Sequence, residues 1–246
     1  MDLGLKNKKA LVWGASQGIG YAIANNLVRE GATVTIASRS DKKIQDAKEQ
    51  MNASHALTVD LCQTGAAIDC IRKSTQLMNG LDILVINTGG PKKNNFEHVT
   101  NLQWQTDFQN LWLSTTDGIK AALPNMKKNK FGRIILVSSI AAREPLSGLT
   151  TSNGFRAGLA GLFKSISSEV ASYGITLNIA CPGYTNTERI KSLNLDEETV
   201  KKLVPAGRLG DPNEIADLIC FLSSDKASYI TGQQIAIDGG SNKAIY

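Results

Sequence analysis

Short apolar runs alternate with longer amphipathic segments along most of the chain. The first run spans residues 9–13, and a glycine-rich turn and an apolar-periodic segment that ends near Glu30 follow it. Continuous apolar runs are typical of strands buried on both faces, whereas apolar positions three and four residues apart indicate helices. The pattern therefore predicts a strand, a tight turn and a helix at the start of the chain.

The same alternation continues towards the end of the sequence. We expect further strands over residues 33–38, 56–60, 81–87, 133–138, 175–180 and 234–237. We expect further helices over residues 42–51, 66–78, 101–126, 152–172 and 212–223. Strands that alternate with helices of this length indicate a parallel sheet covered by helices on both faces. The predicted fold is α/β, a Rossmann-type doubly wound parallel sheet of about seven strands, in a single domain over residues 1–246.

The composition narrows the classes of function. The formal net charge is only +5, and the basic residues are scattered, which argues against nucleic-acid binding. The four cysteines show no Cys-x-x-Cys spacing, and the two histidines lie far apart, so we expect no metal site. No segment approaches the roughly 18 uninterrupted apolar residues of a membrane span, and the first residues lack the apolar run of a signal peptide. We therefore expect a soluble, cytoplasmic protein without a membrane partner.

The turn after the first predicted strand is a candidate phosphate site. It has the spacing Gly-x-x-x-Gly-x-Gly and opens the first predicted helix. A parallel sheet binds its ligand beyond the carboxyl ends of the strands, where backbone N–H groups and a helix N-terminus favour a pyrophosphate. The residues that we expect to line this dinucleotide site are Gly14, Ser16, Gln17, Gly18, Ile19 and Gly20.

From this turn onwards the chain resembles the short-chain dehydrogenase/reductase family, which has Thr-Gly-x-x-x-Gly-x-Gly here. Trp13 stands in place of the threonine. The resemblance covers about residues 8–241 and is closest to β-ketoacyl carrier-protein reductases, whose C-terminal signature resembles residues 204–210 and 229–240. It implies further cofactor-binding residues beside the adenine, in the loop after the fourth strand and beside the nicotinamide amide, namely Asp60, Leu61, Asn87, Gly89, Pro182, Gly183 and Thr187.

The end of the second predicted strand bears on the choice of cofactor. An NAD-preferring site places an acidic residue there for the ribose 2′-hydroxyl, whereas an arginine can pair with a 2′-phosphate. This chain has Ser38 and Arg39 and no acid at that place. NADP(H) is therefore favoured over NAD(H), although Arg39 could also be a solvated loop residue.

The resemblance implies a catalytic set that is only half present. Asn110 matches the asparagine of the long fourth helix, and Ser139 matches the serine after the fifth strand. Where the family has Tyr-x-x-x-Lys, this chain has Ser152 and Arg156. A divergent branch of β-ketoacyl carrier-protein reductase-like proteins that lack the usual Tyr-x-x-x-Lys is similar in this respect. A serine hydroxyl is a much weaker acid than the phenol of tyrosine, and arginine stays protonated, so the usual proton donor is missing. Arg156 can still bind the cofactor, because its planar fork can hold ribose hydroxyls.

Three hypotheses on function remain open. The chain could be an NADP(H)-dependent reductase of a carbonyl substrate, a ketone or a 3-oxoacyl compound, with Tyr184 or water held by Ser152 as proton source. It could instead be a non-catalytic NADP(H)-binding sensor or interaction protein, or an enzyme of another reaction type. A 3-oxoacyl substrate would bring an acyl carrier protein to Lys127, Lys128, Lys130 and Arg133.

Two further expectations concern the substrate and the assembly. Residues 184–204 lie where the resemblance implies a substrate lid, and their apolar positions favour a partly hydrophobic substrate. The helices that hold Trp104, Phe108, Trp112, Phe155 and Phe163 have more apolar surface than one sheet face needs. Relatives pair these helices, so we expect a homodimer or homotetramer.

Overall fold

One parallel sheet organises the protein. A computed structural model describes residues 2–245. Its strands are β1 (Lys9–Trp13), β2 (Thr33–Ser38), β3 (His55–Thr58), β4 (Ile83–Ile86), β5 (Gly132–Val137), β6 (Ile175–Pro182) and β7 (Gln234–Ile237). All neighbours pair in parallel, in the order β3-β2-β1-β4-β5-β6-β7. The predicted seven-stranded Rossmann-type sheet is confirmed.

Helices cover both faces of this sheet. They are α1 (Gly18–Arg29), α2 (Asp41–Met51), α3 (Ala66–Met78), α4 (Asn101–Asp107), α5 (Ser114–Asn129), α6 (Thr150–Val170), α7 (Glu188–Lys191), α8 (Glu197–Leu203) and α9 (Pro212–Ser223). One apolar cluster joins the sheet to α1, α2 and α9, and a second joins its other face to α3, α5 and α6. Successive strand residues alternate between the clusters, as Val12 and Trp13 do. Within residues 2–245, no helix is long and apolar enough to cross a membrane.

The predicted helix over residues 101–126 is continuous but not uniform. Between α4 and α5, residues Phe108–Leu113 form a wider π-helical turn. Such a turn loosens the regular pattern of backbone hydrogen bonds, and hydroxyl side chains take up the carbonyl groups that it frees. Ser114 Oγ donates to the carbonyl oxygen of Asn110, and Thr115 Oγ1 donates to that of Leu111 at 2.7 Å. The turn therefore sits at Asn110, one of the predicted site residues.

The strand order reverses between β1 and β4. From β1 the sheet continues through β2 and β3 in one direction and through β4 to β7 in the other. The loops after β1 and β4 consequently diverge and open a crevice at the carboxyl ends of the strands.

Candidate functional site

A cleft of about 780 Å³ occupies this crevice. Loops that follow β1, β2, β3, β4, β5 and β6 line it together with α6 and α7. Every predicted site residue except Gly20 and Asp60 lies on its wall. These residues are Gly14, Ser16, Gln17, Gly18, Ile19, Ser38, Arg39, Leu61, Asn87, Gly89, Asn110, Ser139, Ser152, Arg156, Pro182, Gly183, Tyr184 and Thr187.

Gly20 supports the glycine loop from behind rather than lining the cleft. Gly14 has a φ of +62°, a conformation that favours glycine. A Cβ atom at Gly20 would overlap the carbonyl oxygen of Gly14 and would lie 2.6 Å from Nδ2 of Asn87. Asn87 Nδ2 also donates to the Gly14 carbonyl oxygen at 3.3 Å. Gly20 and Asn87 thus fix the shape of the loop that opens α1.

Asp60 lies beside the cleft rather than on its wall, and its role beside the adenine stays a prediction. Its carboxylate accepts a hydrogen bond from the backbone N–H of Cys62 at 3.1 Å, and its side chain is not on the cleft wall. The neighbours Val59 and Leu61 line the cleft instead. Asp60 is an acceptor for its own loop because β3 ends at Thr58, two residues before the end of the predicted strand.

The end of the cleft beyond β2 is cationic. Arg39 and Lys43 both line it, and neither forms an ion pair with an acid of residues 2–245. Ser40 Oγ accepts from the backbone N–H of Lys43 at 3.4 Å and begins α2. The sequence prediction missed Lys43, although its place in the first turn of α2, one turn after Arg39, could have indicated it.

The other end of the cleft holds a hydroxyl and guanidinium pair on α6. Arg156 Nε donates to Ser152 Oγ at 3.1 Å, and the two residues are only 6% and 4% exposed. Burial, and to a smaller extent the charge of Arg189, lower the pKa of Arg156 to about 10. Arg156 therefore remains a cation at neutral pH, and its bond leaves the Ser152 hydroxyl hydrogen free to donate.

Ser139 follows β5 on the same side of the cleft. Its Oγ accepts from the backbone N–H of Ala141 at 3.1 Å, so its own hydroxyl hydrogen is also free to donate. Asn110 is placed differently, because its Nδ2 donates to the carbonyl oxygen of Gly89 at 2.9 Å. That bond links the π-helical turn to the loop after β4. Asn110 thus positions a wall of the cleft as well as lining it.

Tyr184 lies between two cavities. Its side chain lines the main cleft and also a smaller cavity of about 70 Å³ beside residues 204–215. The residue is half-buried. It can act as a wall of the cleft, and its role as a proton donor stays a prediction.

The structure adds Arg189 to the site, which sequence reasoning did not single out. It lies on α7, on the rim of the cleft, and its Nη2 donates to the carbonyl oxygen of Pro91 at 3.4 Å. Its guanidinium occupies the space that a Cβ atom of Gly90 would need. Gly90 therefore makes room for Arg189 beside the loop after β4.

The predicted basic docking patch is wrong in part. Arg133 is 2% exposed, and its guanidinium donates to the carbonyl oxygens of Ser224, Gly132 and Gly174. Arg133 is a structural residue, because it is the second residue of β5 and its side chain is buried there. Lys127, Lys128 and Lys130 lie just before β5, at the amino edge of the sheet, whereas the cleft lies at the carboxyl edge.

Comparisons with known proteins agree with this geometry. A family model described as enoyl-(acyl carrier protein) reductase matches residues 14–242. The 3-oxoacyl-(acyl-carrier-protein) reductase FabG of Vibrio cholerae is 35% identical over 240 residues, which are 97% of this chain and 98% of that protein. Two solved structures are similar over nearly the whole chain. YwfH, an NADPH-dependent reductase involved in bacilysin biosynthesis, has a TM-score of 0.92 and 33% identity, with 98% of this chain and 100% of that chain covered. A 3-oxoacyl (acyl-carrier-protein) reductase of Agrobacterium tumefaciens with NADP bound has a TM-score of 0.90 and 30% identity, with 96% and 95% covered.

Proposed function

Because the chain belongs to the short-chain dehydrogenase/reductase family of oxidoreductases, we propose that it is an NADP(H)-dependent reductase of carbonyl compounds with an atypical proton source. The observation on which this rests is that Ser139, Ser152 and Arg156 line the same cleft as the glycine loop that opens α1. The NADPH and NADP named for two structural relatives support the cofactor.

The cleft wall fits a dinucleotide phosphate. Gly14 and Gly20 let the loop pack against Asn87 at the start of α1, and the backbone N–H groups of a helix N-terminus favour a pyrophosphate. Arg39 and Lys43 supply positive charge for a 2′-phosphate beyond β2, where no carboxylate lines the cleft. At the other end, Pro182, Gly183 and Thr187 would hold the nicotinamide amide. When bound, NADPH supplies the hydride.

The protein's own residues stabilise the negative charge that develops on the substrate oxygen. Ser139 and Ser152 each have a hydroxyl hydrogen that is free to donate, and the buried Arg156 stands directly behind Ser152. Hydrogen-bond donors and a cation held in place before the reaction favour an oxyanion without a reorganisation cost. Since Arg156 stays protonated, it acts through its charge and not as a proton relay. We propose that water in the open cleft, held at Ser152, delivers the proton.

The test pairs NADPH oxidation with direct NADPH binding. The protein is assayed with a panel of ketones, aldehydes, quinones and 3-oxoacyl thioesters, and its affinity for NADPH is measured by titration. We expect Ser139→Ala to lower kcat by about 10²–10³-fold while the Kd for NADPH stays unchanged. Tyr184→Phe should leave kcat within a few-fold if water is the proton source.

The outcomes separate the hypotheses. Loss of most activity in Tyr184→Phe would make Tyr184 the proton donor instead of water. Tight NADPH binding without oxidation of any carbonyl would overturn the reductase proposal and favour a sensor or interaction protein. A panel that includes 3-oxoacyl thioesters also tests whether an acyl carrier protein delivers the substrate.

We also propose that the chain forms a homodimer or homotetramer through α4, the π-helical turn and α6. Trp104, Phe108 and Phe155 form an aromatic cluster there, with ring centroids 5.7 and 5.8 Å apart. Phe108 remains 39% exposed and Leu102 72% exposed, so much apolar surface is open in one chain. Light scattering on the purified protein would report the assembly, and a monomer would contradict it.

A further inference from the structure

The reaction half of the cleft has more positive charge than hydride transfer to a neutral ketone requires. Arg156, Arg189 and Lys93 line this half. The acid on the same wall is Glu188, and it is paired with Lys191 Nζ at 2.8 Å. None of the three lining cations has an acidic oxygen within 4.0 Å among residues 2–245. The imbalance indicates that the missing negative charge belongs to a ligand.

Arg156 is the buried member of this group. Its residue is 6% exposed, and of its guanidinium nitrogens only Nε has a hydrogen-bond partner within residues 2–245. A buried cation with open donors is costly unless a ligand satisfies it. The ribose hydroxyl groups of a bound cofactor are neutral, so they could accept from the open donors of Arg156 without compensating its charge.

Arg189 faces the same space from the rim. The one hydrogen bond of its guanidinium group within residues 2–245 is the 3.4 Å bond from Nη2 to the Pro91 carbonyl oxygen, which is long and has a neutral acceptor. Its charge also disfavours the protonated form of Arg156, so the two guanidinium groups repel each other. An anion in the cleft beside both would replace this repulsion by attraction.

Apolar residues from the segment before α6 and from α7 and its end line the cleft together with the two arginines. They are Leu146, Leu149, Ile190 and Leu193. A ligand that satisfies both features has an apolar body and a single anionic group. The planar fork of arginine binds a carboxylate by two parallel hydrogen bonds, which makes a carboxylate the best fit.

We propose that this chain selects oxo acids, that is, carbonyl substrates that also bear a carboxylate, and that Arg189 binds the carboxylate within the field of Arg156. The proposal rests on the proposed reductase function, since it names the substrate class of the same site. Ser139 and Ser152 would then hold the carbonyl oxygen while Arg189 fixes the other end of the substrate.

The first test measures binding without turnover. Hexanoate and hexanamide have nearly the same shape and differ in charge, and each is titrated into the protein saturated with NADP⁺ by calorimetry. We expect hexanoate to bind about tenfold tighter or more, because charge-assisted hydrogen bonds are worth roughly 1.5–3 kcal/mol. Arg189→Gln should remove most of this preference, and Arg189→Lys should retain part of it.

Lys92→Gln is the matched control. Lys92 lies in the loop beside Pro91, is exposed and does not line the cleft, so this variant removes the same net charge from the same region. The hexanoate preference should survive in it. Equal binding of hexanoate and hexanamide to the unmodified protein would overturn the proposal. An equal loss of the hexanoate preference in Lys92→Gln and Arg189→Gln would also overturn the proposal, because it would show a general charge effect.

The second test uses turnover of 5-oxohexanoate and its methyl ester. We expect kcat/KM to favour the acid by about tenfold in the unmodified protein and to show little preference in Arg189→Gln. Oxidation of NADPH with no preference for the acid would overturn the anion site and leave the reductase proposal intact. Selective hexanoate binding with no oxidation of any carbonyl would overturn the reductase proposal and leave the anion site intact.

Discussion

Removal of the Arg39 side chain should reduce the preference for NADPH over NADH and leave NADH binding unchanged. Arg39 lines the cleft beyond β2, where no carboxylate is available to bind a ribose 2′-hydroxyl. A 2′-phosphate gains a charge-assisted hydrogen bond there, whereas NADH has no phosphate to gain it. The effect of Arg39→Ala is therefore confined to the cofactor that has the phosphate.

The magnitude follows from the exposure of the site. A hydrogen bond to a charged group contributes roughly 1.5–3 kcal/mol, and Arg39 is exposed, so the lower end applies. About 1.5 kcal/mol corresponds to about a tenfold weaker Kd for NADPH. Lys43 lines the same place and keeps part of the attraction. The double variant Arg39→Ala with Lys43→Ala should therefore lose more affinity for NADPH than Arg39→Ala alone.

Fluorescence titration of NADPH and NADH at low and moderate salt measures the selectivity directly. The matched control is Lys42→Ala, because Lys42 neighbours Lys43 and is exposed but does not line the cleft. The reasoning is refuted if Arg39→Ala weakens NADPH and NADH equally. It is also refuted if Lys42→Ala weakens NADPH binding as much as Arg39→Ala does.

Two further predictions concern stability. A Cβ atom at Gly118 would lie 2.5 Å from Cη2 of the buried Trp13. Gly118→Ala should therefore lower the free energy of unfolding, measured with a denaturant, by about 1–3 kcal/mol. Gly161 is also in a helix, but a Cβ atom there would have no neighbour within 4 Å, so Gly161→Ala should raise the free energy of unfolding by up to about 1 kcal/mol. Equal changes in the two variants would contradict the packing argument. Hydrogen bonds from Arg208 and, second, from the backbone N–H of Asp211 lower the pKa of Glu214 from 4.5 to about 2. The stabilisation from these bonds is therefore complete above about pH 4.5 and is lost as the pH falls towards 2. Calorimetry should therefore find Arg208→Gln less stable than the unmodified protein at neutral pH but equal to it near pH 2, and a constant difference would count against the ion pair.

The fold was predictable because the parallel sheet is buried on both faces. Its strands are continuous apolar runs, and the helices between them show clear periodicity, so element type and order follow from the sequence alone. The ends of the elements were less predictable: the strand expected to end at residue 60 stops at Thr58, and Asp60 lies in the loop that follows, where its carboxylate accepts from the N–H of Cys62. The π-helical turn at Asn110 was not predictable either, because its extra backbone length leaves no mark in the spacing of apolar residues.

The site was predictable where backbone geometry selects the residue type. Glycine at Gly14 is required by its φ of +62°, and a motif that depends on such a requirement is visible in one sequence. Arg133 and Arg189 show where prediction from the sequence stops. Both are arginines near ordinary loops, yet one is buried among backbone carbonyl groups and the other faces the cleft. Which of the two bears on function depends on long-range packing that local pattern does not encode.

The replacement of Tyr-x-x-x-Lys by Ser152 and Arg156 changes what this wall of the cleft can do. A phenol beside an ammonium group can pass a proton at near-neutral pH, whereas a serine hydroxyl held by a guanidinium group can only donate a hydrogen bond and present charge. The pair therefore suits a substrate whose developing negative charge must be stabilised and whose proton can come from solvent. If the substrate is the proposed oxo acid, Arg189 would extend the same positive field to its carboxylate end. We therefore expect this site to be weaker in proton delivery than in recognition of negative charge.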